Sequence, residues 1–189
     1  MKMNIKKLIT VSIFTALMCV LSQVSISIPF SPVPITMQIL CVCLASVVLG
    51  KKAGTLSQVI YILLGLCGFP VFAGFKSGIN AILGPTGGYI VSFPFEAFLT
   101  GYIIENIEKH RPLTRLSIGM AMAAGLFVCY FTGTFWLALS LNLGLVKALA
   151  LGVGWYLPFD ILKIIISSFL GYEIRHALIK AKLISTSNT

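Results

Sequence analysis

The chain has 189 residues, of which 58% are hydrophobic and 10% charged, and its formal net charge is +9. This composition excludes a soluble domain, in which about a quarter of the residues are charged. It indicates an integral membrane protein built of helices, because a lipid-embedded backbone must satisfy its own hydrogen bonds. The basic residues border apolar segments and form no patch, so binding of nucleic acid is not expected.

Six apolar segments predict six transmembrane helices, at about residues 8–27, 37–50, 53–68, 86–106, 116–139 and 157–179. No long polar region separates them, which predicts a single transmembrane domain over residues 1–189. The first segment follows two lysines but has no small-x-small cleavage site, so we interpret it as an uncleaved span.

The positive charges fall at one set of helix ends. Eleven of the 14 Lys and Arg residues lie there, only Lys76 and Lys147 lie at the other set, and Lys163 lies inside a span. By the positive-inside rule, both termini are expected in the cytoplasm.

The loops differ in character. Residues 29–36 contain three prolines, which predicts an extended outside loop of polyproline character. Lys51 and Lys52 mark a tight inside turn. Residues 69–88 are too apolar for a solvated loop and rich in glycine, so we expect them to fold back over a cavity. The alternative is an interfacial loop whose aromatic residues lie among lipid headgroups.

Asp160 and Lys163 are spaced to share a helix face within the last apolar segment. Each charge costs about 2.5–3.5 kcal/mol at the centre of a bilayer, so the pair indicates a functional site. The alternative is that Asp160 and Lys163 only neutralise each other's charge where two helices pack together. The outside half also holds most of the other isolated polar or amphipathic residues, and together they suit a small, partly apolar organic ligand: Thr36, Gln38, Asn80, Thr86, Tyr89, Trp155 and Tyr156.

The remaining acids and the cysteines are interpreted as structural. Glu96 is expected near a helix N-terminus, where the helix dipole favours a carboxylate, and Glu105 and Glu108 are expected in solvent at an inside end. The five cysteines lack CxxC spacing and predict small buried side chains and no metal site. No phosphate-binding loop occurs, so an ATPase would have to be another subunit.

Three sequence blocks resemble the BioY family, the biotin-binding S components of energy-coupling factor (ECF) vitamin transporters. They are residues 31–38 (SPVPITMQ), residues 68–74 with 83–89 (GFPVFAG and LGPTGGY), and residues 158–163 (PFDILK). The resemblance implies an all-α S-component fold of six transmembrane helices with cytoplasmic termini, in the plasma membrane of a prokaryote. It implies biotin capture from outside without a cofactor, and docking on a T component that carries two ATPase subunits. The family's Ala-xxx-Ala docking motif would here be Ser12 and Ala16, a departure at the first position.

Biotin carries a ureido group, an apolar thiophane ring and a valerate carboxylate. The resemblance implies that Asp160, Lys163 and Asn80 bind the ureido group. Tyr89, Phe75 or Trp155 would flank the ring. The carboxylate would take backbone N–H groups near Gly74 or the ammonium of Lys76, at a place where family members are generally glycine-rich.

Three other functions remain open on the sequence alone. The chain could be an S component for another vitamin, which the loop blocks disfavour. A stand-alone secondary carrier could use Asp160 and Lys163 as a proton relay, but such carriers are usually larger and contain inverted repeats. A membrane enzyme is disfavoured because no catalytic set is seen. Dependence of biotin uptake on ATPase partners would distinguish a biotin-binding S component from the stand-alone carrier.

Overall fold

The computed structural model of the protein describes residues 5–181 and residue 183. Within these residues the chain forms seven α-helices, one π-helical turn and one two-stranded antiparallel sheet. In chain order the elements are α1 (Ile5–Leu21), β1 (Ser25–Ile28), β2 (Ser31–Thr36), α2 (Gln38–Leu66), α3 (Ile79–Leu83), α4 (Gly87–His110), α5 (Arg115–Ser140), α6 (Leu145–Leu149), the π-helical turn (Ala150–Gly154) and α7 (Leu157–Lys180).

Helix α2 is broken at Gly50, whose φ of 77° and ψ of 178° are not helical. The two halves fold back on each other. The amide nitrogen Nε2 of Gln38 donates to Tyr61 Oη over 2.8 Å, whereas in a straight helix these residues would lie about 34 Å apart. Gly54 likewise packs against the backbone of residues 45 and 46. The sequence prediction of two separate helices, with a tight turn near Lys51, therefore agrees with the structure.

The segment between the first two predicted spans differs from the prediction. Helix α1 ends at Leu21, and residues 25–28 pair with residues 31–36 instead of extending the helix to residue 27. The alternation Ser-Ile-Ser-Ile has the two-residue period of a strand. The predicted polyproline loop is thus largely a β-strand, and its prolines are tolerated because both strands of a two-stranded sheet are edge strands.

The helices form one bundle. Helix α4 packs between α2 and α5, α7 packs against α2 and α5, and α1 packs against α2. By length and composition, α2 and α5 are apolar enough to cross a membrane. The segment from α6 to α7, bent by 43°, would make a third such span among the described residues.

One end of the bundle, which we call the basic end, is held by ion pairs between helices. Arg175 is 4% exposed, and its guanidinium donates to the carbonyls of Val47 (2.6 Å) and Val48 (3.4 Å), just before the Gly50 break. The same guanidinium binds Glu108 over 2.8 Å. A cation at the carbonyl end of a helix is stabilising, so Arg175 caps the first half of α2.

A second ion pair at the basic end holds the other side of the break. Glu105 accepts a hydrogen bond from the backbone N–H of Lys51 (2.9 Å) and pairs with its ammonium (3.2 Å). The expectation that Glu105 and Glu108 are simply solvated is therefore wrong, since their side chains are 22% and 12% exposed and ion-paired. The sequence places these acids near basic residues but does not reveal that α2 turns back against them.

Candidate functional site

A cavity opens at the opposite end of the bundle, which we call the cavity end. It encloses about 720 Å³, including the open space at its mouth. Strand β2, the segment after α2, and helices α4, α5 and α7 all contribute to its walls. Most of the lining is apolar and includes Val33, Pro34, Ile39, Phe72, Ile90 and Phe93.

The polar centre of the cavity is the pair Asp160 and Lys163, which are only 4% and 7% exposed. Lys163 Nζ lies 2.6 Å from Asp160 Oδ1, and Tyr130 Oη donates to Asp160 Oδ2 over 2.5 Å. Asp160 lies in the first turn of α7, after Pro158, where the helix dipole favours a carboxylate. The carboxylate thus has one cationic and one neutral donor, each on a different oxygen.

This centre retains capacity for a ligand. A carboxylate has about four lone-pair sites and an ammonium has three N–H donors. The hydrogen bonds found in the described part of the chain use two of the former and one of the latter. Asp160 can therefore accept hydrogen bonds from ligand N–H groups, and the adjacent Lys163 can donate to a ligand carbonyl.

Tyr89 provides a wall of the cavity. Its hydroxyl donates to the Gly152 carbonyl over 3.0 Å and lies 3.4 Å from Thr134 Oγ1. The hydroxyl is therefore engaged with protein, and the ring is what the side chain offers a ligand. Gly133 makes this position possible, because a Cβ there would lie 2.3 Å from ring atom Cδ1 of Tyr89.

Gly133→Ala should displace the Tyr89 ring and weaken ligand binding by about tenfold, or about 1.4 kcal/mol, because overpacking a close contact forces side chains to move. Isothermal titration calorimetry on the purified variant measures this. The matched control is Gly119→Ala on the same helix, where the nearest atom, Ile164 Cγ2, is 3.9 Å from the new Cβ. Unchanged affinity in Gly133→Ala would show that Tyr89 does not shape the site.

Other polar residues at the cavity are used to fix its walls. The hydroxyl of Tyr156 binds the Val33 carbonyl and Ser31 Oγ, the latter at 2.7 Å. Gln38 donates to Tyr61 and accepts from Thr36 Oγ1 at 3.0 Å. These bonds tie the β-hairpin to α2 and to the start of α7. The hairpin is thereby held over the cavity.

The structure brings together only some of the residues predicted for the site. Asp160, Lys163 and Tyr89 line the cavity, whereas Asn80, Gly74, Phe75 and Trp155 do not. Asn80 is exposed on α3 beside Ala81, which does line it. Trp155 is 57% exposed, and its ring lies 5.1 Å from that of Phe30 at the tip of the hairpin. Contact between a ligand and these four residues stays a prediction.

Residues 69–88 do fold back over the cavity in part. Phe72 is 1% exposed and contributes to the lining together with Ala73, Lys76 and Ala81. Other apolar residues of the segment that were expected to be buried are more than half exposed: Phe69, Phe75, Ile79 and Leu83. The prediction that the segment folds back over a cavity therefore holds for Phe72 and the other lining residues, while an interfacial position of the exposed residues stays a prediction.

Two residues were not identified correctly from the sequence. Tyr130, the partner of Asp160, was missed; the only signal was an isolated tyrosine within the apolar run of α5. Glu96 is not at a helix N-terminus but in the middle of α4, with 0% exposure. One of its oxygens lies 3.8 Å from Cys43 Sγ. The other has no hydrogen-bond partner among the described residues.

The predicted docking residues lie away from the cavity. Ser12 and Ala16 are both exposed and fall one helical turn apart on α1. Neighbouring exposed residues on that helix are apolar, among them Ile9, Ile13 and Val20.

Comparison with known proteins agrees with this architecture. The BioY family model matches residues 1–180. A probable biotin transporter BioY of Pyrococcus horikoshii is 46% identical over 161 residues, which cover 85% of this chain and 91% of that protein. The biotin transporter BioY of Thermotoga maritima is 39% identical over 170 residues, covering 90% and 96% of the two chains.

A solved structure also matches. The crystal structure of the S-component for biotin from an ECF-type ABC transporter superposes with a TM-score of 0.86 at 28% sequence identity, covering 93% of this chain and 95% of that one. The observed fold is therefore that of an ECF S component. The extent of the family match and the identity to the curated relatives lead to the same conclusion: the chain belongs to the BioY family.

Proposed function

We propose that this protein is the substrate-binding subunit of an ECF-type transporter and that it captures biotin from outside the cell. The observation that carries the proposal is the buried group of Asp160, Lys163 and Tyr130 in an otherwise largely apolar cavity. Family membership and the names of the relatives, which are biotin transporters, support it. In this role the chain is a transporter subunit and not an enzyme.

The chemistry of biotin fits this group. Its ureido N–H groups would donate to Asp160, and its ureido carbonyl would accept from Lys163. Such bonds to charged groups are the stronger kind of hydrogen bond. The thiophane ring would pack against Tyr89 and Phe72. Asn80 stays a candidate for a further ureido contact, and Phe75, Trp155 and Gly74 stay candidates at the mouth, all on the strength of the family resemblance.

We further propose six membrane crossings, made by α1, the two halves of α2, α4, α5 and α7. The basic end would face the cytoplasm, since Arg175, Lys51 and Arg115 lie there. The cavity would then face outward in the plasma membrane of a prokaryote. ATP hydrolysis would come from two ATPase subunits joined through a T component that binds α1 at Ser12 and Ala16.

Ala16→Leu should block assembly with the T component and leave biotin affinity within about twofold, because a large side chain prevents close approach of two helices. Co-purification of a tagged T component measures assembly, and calorimetry measures affinity. Ala123→Leu, at an exposed position on α5, is the matched control. Assembly of Ala16→Leu at the wild-type level would place docking elsewhere.

The central test is titration of biotin into the purified subunit without partners, with desthiobiotin and thiamine for comparison. Tight binding of biotin with a stoichiometry of one is expected. Tighter binding of thiamine would indicate an S component for another vitamin. Biotin uptake that persists in cells lacking every ATPase partner would indicate the stand-alone carrier.

A further inference from the structure

One wall of the cavity is a short turn, residues 70–76, which we call the wall turn. Phe72, Ala73 and Lys76 of this turn line the cavity. The Phe72 N–H donates to the Lys76 carbonyl over 3.0 Å and closes the turn. The wall turn lies between α2 and α3 and belongs to neither helix. Contacts with neighbouring elements must therefore hold it in place.

The inner half of the wall turn, Val71 and Phe72, has several anchors. Tyr61 Oη donates to the Val71 carbonyl over 3.1 Å, and Ser22 Oγ donates to the same carbonyl. The ring of Tyr61 lies edge-on to that of Phe72, with 5.6 Å between the centroids. Gly65 lets the Phe72 ring approach α2 closely, because a Cβ there would lie 2.1 Å from Phe72 Cζ. Phe72 is 1% exposed, so this half is packed into the bundle.

The outer half of the wall turn, residues 73–76, has an unfavourable backbone. Gly74 and Phe75 adopt positive φ values of 70° and 58°. A residue other than glycine is uncommon in this region and persists there only where surrounding contacts hold it. The Phe75 side chain is 70% exposed, so burial of its ring does not supply those contacts.

Gln23, which lies just after α1, supplies them. Its Oε1 accepts from the Phe75 N–H over 2.9 Å, and its Nε2 donates to the carbonyls of Pro70 (3.3 Å) and Phe72 (3.2 Å). Among the residues that the structure describes, the bond to Phe75 is the one hydrogen bond that joins residues 73–76 to the chain outside the wall turn. The outer half of this wall therefore depends on one side chain from a different part of the bundle.

We infer that Gln23 is a positioning residue that holds the outer half of the wall turn closed over a bound ligand and thereby slows the departure of the ligand. This inference rests on the proposed function and deepens it, since it concerns release from the same cavity. Without Gln23 the inner half keeps its anchors, whereas residues 73–76 lose theirs. The cavity then opens more often at this wall, while Asp160 and Lys163 stay in place. A ligand leaves such a cavity faster but still meets the same binding groups.

The test measures the association and dissociation rates of tritiated biotin on the detergent-purified full-length protein. Gln23→Met keeps the length of the side chain but makes none of the three bonds. It should speed dissociation about tenfold and leave association within about twofold. Gln23→Asn, whose amide is one methylene shorter, is a second variant that should behave alike, and thermal unfolding shows that each variant is folded.

The matched control is Gln58→Met. Gln58 is a fully buried glutamine of α2 that lies outside the cavity lining and donates to Ser57 Oγ. Its substitution should leave both rates within about twofold.

Hydrogen exchange followed by mass spectrometry gives a second readout on the ligand-free protein. Peptides that cover residues 73–76 should exchange faster in Gln23→Met than in the wild type, because the turn opens locally. Peptides from α4 should exchange at the wild-type rate.

Four results would overturn the inference. Unchanged dissociation in the folded Gln23 variants would mean that the wall turn does not retain the ligand. Unchanged exchange at residues 73–76 would mean that the turn stays closed without Gln23. A loss of affinity through slower association alone would mean that Gln23 shapes the empty cavity instead. Equal acceleration by Gln58→Met would indicate a general loosening of the bundle. If the wild type itself binds no biotin, the proposed function fails, a result that is separate from any effect of the variants.

Discussion

Asp160→Asn is expected to weaken biotin binding by more than about 2 kcal/mol, which is about thirtyfold in Kd. The substitution removes the charge of a carboxylate whose Oδ1 lies 2.6 Å from Lys163 Nζ and whose Oδ2 accepts a hydrogen bond from Tyr130 Oη over 2.5 Å. It leaves a buried ammonium without its counter-charge, so both the ligand bonds and the arrangement of the pair are lost. Calorimetry on the variant, after thermal unfolding has shown that it is folded, gives the loss directly.

A double variant separates binding from folding. Asp160→Asn combined with Lys163→Gln leaves no uncompensated charge, so its thermal stability should recover towards the wild type while biotin binding stays weak. Glu173→Gln, at an ion pair whose side chains are 49% and 63% exposed, is the control and should change little. Wild-type affinity in a folded Asp160→Asn protein would show that the carboxylate charge does not bind the ligand.

Arg175→Ala is expected to destabilise the protein by about 3–5 kcal/mol, the usual cost of removing one partner of a buried ion pair. It removes the ion pair with Glu108 and the hydrogen bonds to the carbonyls of Val47 and Val48. Biotin affinity of the folded fraction should stay within about twofold, because Arg175 lies about 22 Å along α7 from Asp160. Unfolding in a denaturing detergent, followed by circular dichroism, measures the stability.

The control for Arg175 is Arg115→Ala, which removes an exposed pair and should cost less than about 1 kcal/mol. Arg175→Met with Glu108→Gln should recover part of the loss, because the Glu108 charge is then removed together with that of Arg175. A loss below about 1 kcal/mol in Arg175→Ala itself would mean that the Gly50 break does not depend on this cap.

The sequence was sufficient for features that depend on local spacing. Apolar runs located the helices, and the spacing of three positions from Asp160 to Lys163 puts both on one face of α7. The break at Gly50 was visible because Lys51 and Lys52 interrupt an apolar run. The strand at residues 25–28 was missed, although its Ser-Ile alternation was present, because it directly follows a helix of similar hydropathy.

Features that depend on how helices are rotated against each other were not accessible. Tyr130 reaches Asp160 from another helix, and nothing in the spacing of α5 selects Tyr130 over its neighbours. The same applies to Glu96, whose burial follows from the packing of α4 between α2 and α5. The turn closed by the bond from the Phe72 N–H to the Lys76 carbonyl is held by Gln23, which accepts from the Phe75 N–H and lies about fifty positions earlier, where no motif marks it.

The cap that Arg175 places on residues 47 and 48 also has a consequence for how the protein is made. The hairpin formed by the two halves of α2 leaves the ribosome long before α7, which carries Arg175. Translation at about 5–20 residues per second separates Val48 from Arg175 by roughly 6–25 s. Throughout that interval the carbonyls at the Gly50 turn must be hydrated or held by the insertion machinery. In a nascent chain stalled before residue 175 the turn therefore lacks its cap. The hairpin can reach its final structure only after α7 has been made.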